Sequence, residues 1–480
     1  MKNDRVSLTD AAGRNHMKVN DSAALRLALT GLAGASIEWY DFFLFATAAA
    51  LIFPTLFFPA TLPPFVALIA SFSTFAVGFL ARPLGAVVFG HMGDRIGRKA
   101  ALAVTMVTMG VATTGIGLLP SYESAGVFSP LALVLLRLTQ GLAVGGQWGG
   151  AILLATESAP KSRRGFYGSI AQAGVPVGIT LANLAFLVAN GASSTEVFMA
   201  YGWRIPFLLS IGLVGLGIFV HLRIEDTVAF RQLQQSRSLP TEPRTDGSTL
   251  HAQVRQTKPA SVRSLPALEA FRLHPKLILV AAGAYAASNL TFYVVITYVV
   301  AYGTSVAGLH LPRSEMLSAV LIANFAMAPV LFLAGTLSDR YGRRRVFMAG
   351  VALMGAWMFI LFPLLETRSS LWITLAITVS VCFQAVAYGP VAALFAELFP
   401  TQIRYSAASL AYQIAAILGG GLAPIIATSL YARYHTNIWI SVYVATACAI
   451  SLACTAALKE TRATDLDEHT APAGAVIVNT

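Results

Sequence analysis

The sequence predicts an all-α integral membrane protein, with twelve transmembrane helices arranged as two pseudo-symmetric six-helix bundles. Three observations lead to this fold class: an apolar composition, twelve long apolar runs and a repeated basic motif. Of the 480 residues, 56% are hydrophobic and only 11% are charged, and the mean hydropathy is +0.68. A soluble domain is typically about 25% charged. We therefore expect the chain to lie in a lipid bilayer.

Each apolar run has the length of about 20 residues that an α-helix needs to cross a bilayer. The runs are continuous rather than alternating, which indicates helices and not a β-barrel. The first six cover approximately 27–53, 65–90, 100–119, 130–151, 165–189 and 203–222, and the other six 275–301, 314–337, 346–365, 371–393, 405–430 and 437–458. The predicted domains are an N-terminal tail at 1–26, a bundle at 27–222, a linker at 223–273, a second bundle at 274–460 and a C-terminal tail at 461–480.

The motif Gly-x-x-x-Asp-Arg-x-Gly-Arg-Lys/Arg occurs twice, at 90–99 and at 335–344, with an offset of 335 − 90 = 245 residues. A second pattern, Glu-x-x-Pro-x-x-x-Arg, occurs at 157–164 and again at 397–404, with an offset of 397 − 157 = 240 residues. Repeats that keep the same order and nearly the same offset indicate that the chain consists of two copies of one unit.

An even number of spans places both termini on one side of the membrane, and the loops of that side carry most of the 33 Lys and Arg residues. The positive-inside rule therefore predicts cytoplasmic termini. Basic loops facing anionic lipid account for the net charge of +11 without a nucleic-acid partner. Residues 1–26 contain no signal-peptide core, so the first span is expected to direct membrane insertion. The polar linker is expected to be a solvated connector, with a partner-binding module as the alternative.

The sequence offers no pattern for a cofactor or a metal. Cys382, Cys448 and Cys454 lie inside predicted helices, where packing is expected rather than a disulfide or a metal site. The eight histidines lack metal-ligand spacing, and no phosphate-binding loop is present that would let ATP drive a cycle. No buried nucleophile is paired with a base, so an integral-membrane enzyme is disfavoured.

Four ionisable residues are predicted to lie well inside the bilayer, all in the first bundle. They are Glu38 and Asp41 on span one, Arg82 on span two and Arg137 on span four. A charge at the centre of a membrane helix costs about 2.5–3.5 kcal/mol on insertion scales, so such residues usually pair and line a pathway. Similar depths along the helices predict the pairs Asp41 with Arg137 and Glu38 with Arg82.

A carboxylate in this setting can exchange a proton, because burial favours its neutral form and a nearby guanidinium favours its charged form. Asp41 is the first candidate for this role and Glu38 the second. When the acid is protonated, its arginine is left to hold an anionic substrate by a charge-assisted contact. The alternative is that permanent ion pairs fix the packing of the helices.

The paired basic turns resemble those of the major facilitator superfamily, and Arg-Leu-Thr-Gln-Gly at 137–141 resembles its span-four motif. The segments 38–42, 82–85, 145–150 and 202–207 are similar to the metabolite:proton symporter branch, which includes carriers of shikimate, alpha-ketoglutarate, citrate, and proline or betaine. The resemblance implies two six-helix bundles that rock about a central cavity. We expect the transporter to be a monomer.

The resemblance also implies that the charged turns lock a cytoplasmic gate. Asp94 and Asp339 are each expected to oppose the positive N-terminus of a helix in the other half. Glu157 is expected to pair with Arg164, in a contact that breaks when the gate opens. Glu397 is expected to pair with Arg404 in the same way. The predicted gating set is Asp94, Arg95, Arg98, Glu157, Arg164, Asp339, Arg340, Arg343, Glu397 and Arg404.

The remaining cavity residues are expected among polar and aromatic side chains of the apolar spans. Such side chains either hydrogen-bond the substrate or hold one helix to another. The predicted substrate-binding set is Arg137, Arg82, Gln140, Gln147, Trp148, Gln172, Tyr285, Asn289, Tyr293, Gln384 and Tyr388, with Asn324 and Gln413 as further candidates. Relatives often carry glutamate at the position of Gln147. Because this chain has no acid there, more of the proton role falls on span one.

Together these observations predict proton-coupled symport of a small organic acid, such as shikimate or a keto or dicarboxylic acid, across the cytoplasmic membrane by alternating access. Antiporters of the superfamily favour adjacent Gly-Pro in span five, whereas Val175 separates the two residues here. Symport is therefore favoured over antiport. Uptake of a zwitterionic solute such as proline or betaine, and uncoupled facilitation, remain alternatives.

Overall fold

A computed structural model of the chain describes residues 21–96, 98–145, 155–157, 159–223, 266–400, 403–462 and 464. Within these residues the chain forms twelve long helices, several of them interrupted by a turn or a π-helical segment. The first six are α1 Asp21–Leu51, α2 Pro64–Ile96, α3 Arg98–Leu118, α4 Phe128–Val144, α5 Arg164–Gln172 with Gly174–Gly191, and α6 Arg204–Arg223. The other six are α7 Pro275–Tyr293 with Val294–Tyr298 and Val299–Thr304, α8 Arg313–Tyr341, α9 Arg343–Glu366, α10 Ser370–Tyr388 with Val391–Leu398, α11 Arg404–Ala416 with Ile417–Gly421 and Ala423–Tyr434, and α12 Ile438–Ala457.

Eight helices of the described part are long and apolar enough to cross a membrane, and the apolar stretches Ala103–Leu118 and Phe128–Val144 are shorter. The predicted all-helical membrane fold is confirmed, and most predicted spans coincide with a helix to within a few residues. Helix α4 is described as far as Val144, and the predicted end of the fourth span near residue 151 lies outside the described residues. Much of the linker, 224–265, lies outside the described residues, so the domain boundaries stay predictions.

The two halves pack their helices in the same pairs, which gives the fold its internal symmetry. In the first half α1 packs against α5, α2 against α4, and α3 against α6. In the second half the equivalent pairs are α7 with α11, α8 with α10, and α9 with α12. The halves meet mainly along α5 with α8 and α2 with α11. These four helices therefore form most of the interface between the halves.

The segment 202–207 at the start of α6 holds the first half together at the end opposite the chain termini. Arg204 donates from Nη1 to the carbonyl oxygens of Gly117 at 2.8 Å and Leu119 at 2.6 Å, at the C-terminal end of α3. These contacts satisfy carbonyl groups that a helix end leaves open. The hydroxyl of Tyr40 donates to the carbonyl oxygen of Pro206 at 2.8 Å and so joins α1 to α6. The segment 202–207 therefore stabilises the packing of α1, α3 and α6.

Candidate transport site and cytoplasmic gate

Helices α1, α2 and α4 bring three of the four predicted charges around one small cavity. Asp41, Arg82 and Arg137 line it together with Gln140 and Phe42, and the three charged residues are at most 3% exposed. The free volume, measured for the centre of a water-sized sphere, is about 10 Å³. This volume is close to what one water molecule requires. The cavity is therefore buried, has four polar side chains in its lining, and has room for about one water molecule.

Gln140 positions the guanidinium of Arg137. Arg137 Nη1 donates to Gln140 Oε1 at 3.1 Å, and Gln140 Nε2 donates to the hydroxyl of Thr113 on α3 at 2.7 Å. The other two nitrogens of Arg137, Nε and Nη2, have no hydrogen-bond partner. Gly78 on α2 leaves room for the side chain, because a Cβ atom there would lie 2.5 Å from Arg137 Nε.

Phenylalanine rings, rather than carboxylates, surround both buried arginines. The Arg137 Cζ atom lies 4.2 Å from the centroid of the Phe45 ring and 4.7 Å from that of Phe42. The Arg82 Cζ atom lies 4.6 Å from the same Phe42 ring and 4.5 Å from that of Phe79. Such cation–π contacts stabilise a desolvated guanidinium by about 2 kcal/mol. Phe42 is thus shared by the two cations.

The predicted ion pairs do not form in this conformation. Neither oxygen of Asp41 has a hydrogen-bond partner, and no ion pair joins any two of Glu38, Asp41, Arg82 and Arg137. The reason is the Phe42 ring, which the two guanidinium groups share, together with the amide of Gln140 that holds Arg137. The hydroxyls of Ser210 and Thr113 lie beside Asp41. Glu38 differs from Asp41, because it is only half-buried.

Several predicted substrate residues of the second half come together around stacked tyrosines. Tyr285 stacks on Tyr388, with ring centroids 6.3 Å apart, and on Tyr412 at 5.2 Å. Gln172 of α5 reaches across the interface and donates to the carbonyl oxygen of Tyr388 at 3.1 Å, while its Oε1 has no partner. Gln384 accepts a hydrogen bond from the hydroxyl of Ser288 at 3.0 Å.

Tyr293 of α7 packs against phenylalanine rings of the first half. Its ring stacks on Phe43 of α1 at 6.1 Å and meets Phe79 of α2 edge-on at 5.4 Å. Asn289, one turn earlier on α7, is buried. Asn324 instead donates to the carbonyl oxygen of Val320 in its own helix at 2.8 Å, away from the tyrosines.

Four residues of this site, Phe75, Phe79, Tyr412 and Ser210, were not predicted from the sequence. Phe75, Phe79 and Arg82 follow each other at spacings of four and three, so the helical period would have placed both rings on the face of the arginine. Tyr412 and Ser210 carry no such signal. Gln147 and Trp148 lie outside the described residues.

Asp339 lies against the start of a helix in the other half, as predicted. Its two carboxylate oxygens accept hydrogen bonds from the backbone N–H groups of Gly165 and Phe166, each at 2.9 Å. These donors belong to the first turn of α5 in the other half, where the helix dipole favours an anion. Arg343 holds the same carboxylate from its own half, with Nη1 2.5 Å from Oδ1.

The predicted pairing of the second gating pattern is wrong, because the pairs cross between the halves. Arg404 Nη1 lies 2.9 Å from Glu157 Oε1, and Arg164 Nη1 lies 3.9 Å from Glu397 Oε1. The cause is the packing of the last turns of α10 against the start of α5, which places Glu397 beside the opposite half. Glu397 is also held within its own half by Arg343, with contacts of 3.1 and 3.2 Å. Both charges of this inner pair are fully buried.

Four members of the predicted gating set remain, and the structure describes the side chain of one of them, Arg340. Arg340 lies over the ring of its neighbour Tyr341, with 5.6 Å between Cζ and the ring centroid. The side chains of Asp94, Arg95 and Arg98 lie outside the described part of the structure.

The chain segment after α12 makes further contacts with these charged residues, which the sequence did not predict. Glu460 accepts hydrogen bonds from the N–H groups of Arg343 at 2.8 Å and Arg344 at 3.2 Å, and so caps the start of α9. The hydroxyl of Thr461 donates to Glu397 at 2.9 Å. The carbonyl oxygen of Thr464 accepts from Arg164 of the first half at 3.2 Å.

The opposite end of the interface is closed as well. Phe65 at the start of α2 meets Tyr431 near the end of α11, with ring centroids 5.7 Å apart. Contacts therefore join the halves at both ends and, through Tyr293, in the middle.

Residues 27–471 match the sequence profile of the sugar (and other) transporter family. The chain belongs to this family, part of the major facilitator superfamily. A shikimate transporter of Escherichia coli is 37% identical to this family member over 447 residues, which cover 92% of this chain and 96% of that protein. The inner membrane metabolite transport protein YhjE of Escherichia coli is 36% identical over 440 residues, covering 91% and 94%. A proline/betaine transporter of the same organism is 31% identical over 451 residues, covering 92% and 85%.

Solved structures of the superfamily share the fold of this transporter. The xylose transporter XylE from Escherichia coli, in a partially occluded inward-open conformation, superposes with a TM-score of 0.67 at 16% identity, covering 93% of this chain and 100% of that one. A D-xylose-proton symporter gives 0.65 at 18% identity, covering 89% and 95%. The chain is thus a metabolite transporter of the major facilitator superfamily and not an enzyme.

A double-mutant cycle tests the crossed gate pairs. Glu157→Gln combined with Arg404→Gln should show a coupling free energy of about 0.5–1 kcal/mol in thermal unfolding of the purified transporter. The value is small because the side chain of Glu157 is 43% exposed. Glu157→Gln combined with Arg164→Gln is the matched control and should be additive. Coupling in the control cycle and none in the first would restore the pairing within each half.

Proposed function

We propose that this transporter imports a small organic acid together with protons across the cytoplasmic membrane by alternating access, with both termini in the cytoplasm. The observation that carries the proposal is the cavity between α1, α2 and α4. It holds a buried carboxylate without a partner, Asp41, next to buried guanidinium nitrogens without partners on Arg137 and Arg82.

Uncompensated charges of this kind are costly in a low-dielectric interior. They are retained where each receives a partner during a working cycle. A proton is the partner that fits Asp41, because the cavity has room for about one water molecule. A carboxylate is the partner that fits Arg137, whose Nε and Nη2 are still free to donate.

Both halves supply groups that would recognise the rest of the substrate. Gln172 Oε1 on α5 and Gln413 Oε1 on α11 are buried acceptors without donors. Gln172 reaches the stacked tyrosines through the carbonyl oxygen of Tyr388, and Gln413 follows Tyr412 in the chain. Hydroxyl or keto groups on a compact acid would match these amides and the tyrosine hydroxyls. The similarity to a shikimate transporter supports this class of substrate.

A zwitterionic solute is the second candidate. The four intramembrane charges sum to zero, so a solute with one carboxylate and one cationic group would find a match for each. The similarity to a proline/betaine transporter favours this alternative. Against it, the faces of Phe42, Phe45 and Phe79 that would receive a quaternary ammonium group are already covered by the arginines.

Uptake into proteoliposomes tests the proposal. Shikimate, keto acids, dicarboxylic acids, aromatic acids and betaine are supplied outside at a more acidic pH than inside. At least one acid should accumulate, and accumulation should stop when the pH gradient is removed by a protonophore. Uptake that ignores the gradient would indicate an uncoupled facilitator, and accumulation of betaine alone would favour the zwitterion.

A further inference from the structure

A second cavity, separate from the transport site, opens at the membrane face that carries the chain termini. It lies at the start of α9 and has a volume of about 480 Å³. The side chains that line it are Arg344, Arg345, Arg462, Glu460, Met348 and Tyr341. We call it the α9 cleft.

The charge of the α9 cleft is positive and unbalanced. Glu460 is its one acidic lining residue. The Glu460 carboxylate accepts hydrogen bonds from backbone N–H groups at the start of α9 and from those of the two residues that follow Glu460, at 2.8–3.3 Å. Arg344 donates to the carbonyl oxygen of Leu458 at 3.1 Å. Within the described residues, none of Arg344, Arg345 and Arg462 forms an ion pair. Among the described residues, these three guanidinium groups therefore face the cleft without an acid of their own.

The position of the α9 cleft matches the headgroup layer of a bilayer. Arg344 and Arg345 belong to the first turn of a membrane-spanning helix that begins at Arg343, and at about 1.5 Å per residue they lie within roughly 3 Å of its end. Arginine and tyrosine at such a depth are typical of the membrane interface. Met348 lies one turn deeper and adds an apolar wall, and Tyr341 is 54% exposed at the rim.

We propose that the α9 cleft binds the headgroup of an anionic phospholipid. The forked guanidinium groups of Arg345 and Arg462 would hold the phosphate oxygens, for which arginine geometry is well suited. Met348 and Tyr341 would contact the glycerol and the first acyl carbons. Arg343, next in the chain, holds Asp339 and Glu397 of the gate, so a bound lipid would stabilise the closed gate.

The binding is measured by native mass spectrometry of the full-length purified transporter. Phosphatidylglycerol and phosphatidylcholine with the same acyl chains are titrated separately. The variant Arg345→Gln/Arg462→Gln should bind phosphatidylglycerol about 30-fold more weakly, the sum expected for two basic side chains near an anionic headgroup. Binding of phosphatidylcholine should not change. The matched control is Arg272→Gln/Lys276→Gln, which removes two exposed charges from the same membrane face outside the cleft.

A second variant keeps the charges and fills the space. Met348→Trp places an indole in the cleft and should also weaken phosphatidylglycerol binding. Unchanged binding in both cleft variants, or an equal loss in the control, would overturn the proposal. Inorganic phosphate is titrated in a third arm. If millimolar phosphate displaces phosphatidylglycerol completely, the cleft takes a soluble anion, and the assignment to a lipid is wrong.

Discussion

Replacing Asp41 by asparagine is expected to abolish accumulation of the substrate against its gradient, while exchange of substrate between the two sides continues. Asparagine has nearly the same size and fills the cavity, but it neither binds nor releases a proton. With one proton per solute, each pH unit supports an accumulation of about tenfold. The ratio of internal to external substrate should therefore fall from about ten to about one at a gradient of one unit.

Proteoliposomes provide both measurements, as net uptake under a pH gradient and as counterflow with substrate on both sides. Glu123→Gln, which neutralises an exposed acid between α3 and α4, is the matched control and should behave as wild type. The Asp41→Asn protein should unfold at the same or a higher temperature, because an unpaired buried charge is removed. Wild-type accumulation in Asp41→Asn, together with its loss in Glu38→Gln, would move the proton site to the half-buried acid.

The fold was predictable because its signals are long and repeated. Continuous apolar runs of spanning length identify the helices, and the repeated motif identifies the halves. The contact of Asp339 with the start of α5 was also predictable, since an acid in a basic turn needs a positive partner and a helix N-terminus supplies one.

The crossed gate pairs were not predictable. Glu157 and Glu397 lie at the same distance in sequence from their own arginines, so spacing alone favours pairing within each half. Which partner is met depends on how the end of α10 packs against the start of α5, and this is a property of the assembled halves. The duplicated pattern therefore predicts charged pairs here without predicting that the pairs join the two halves.

The predicted pairs in the bilayer failed for a different reason. Matching charges by depth treats a carboxylate as the only group that stabilises a buried guanidinium. Phe42 and Phe45 do so through their ring faces, and Gln140 does so with its amide oxygen. The arginines are thereby held in place while part of their hydrogen-bonding capacity stays free. This arrangement suits a binding group better than a closed ion pair would, because no existing pair has to be broken when substrate arrives.

Replacing Gly335 by valine is expected to hold the cytoplasmic gate open and to stop net transport. Gly335 of α8 faces Gly165 of α5 across the two halves, and a Cβ atom at residue 335 would lie 2.6 Å from the carbonyl oxygen of Gly165. The obstacle is backbone, so the helices must separate before a side chain fits. Overpacking of this kind costs about 1–3 kcal/mol, which would lower the population of the closed gate by about 5- to 150-fold.

Two measurements separate an open gate from an unfolded protein. The first is made in a background with Ser169→Cys, because the wild-type serine is fully buried against Gly335. When Gly335→Val is added to this background, the introduced thiol should react faster with a soluble maleimide, by about the factor by which the closed population falls. Substrate binding to the detergent-solubilised variant should be retained, because Gly335 does not line the transport cavity. Gly191→Val on α5, where a Cβ atom meets nothing within 4 Å, is the matched control and should leave uptake and labelling unchanged. If Gly335→Val transports normally with Ser169→Cys still protected, the contact between α5 and α8 does not close the gate, and closure would then depend on the charged pairs alone.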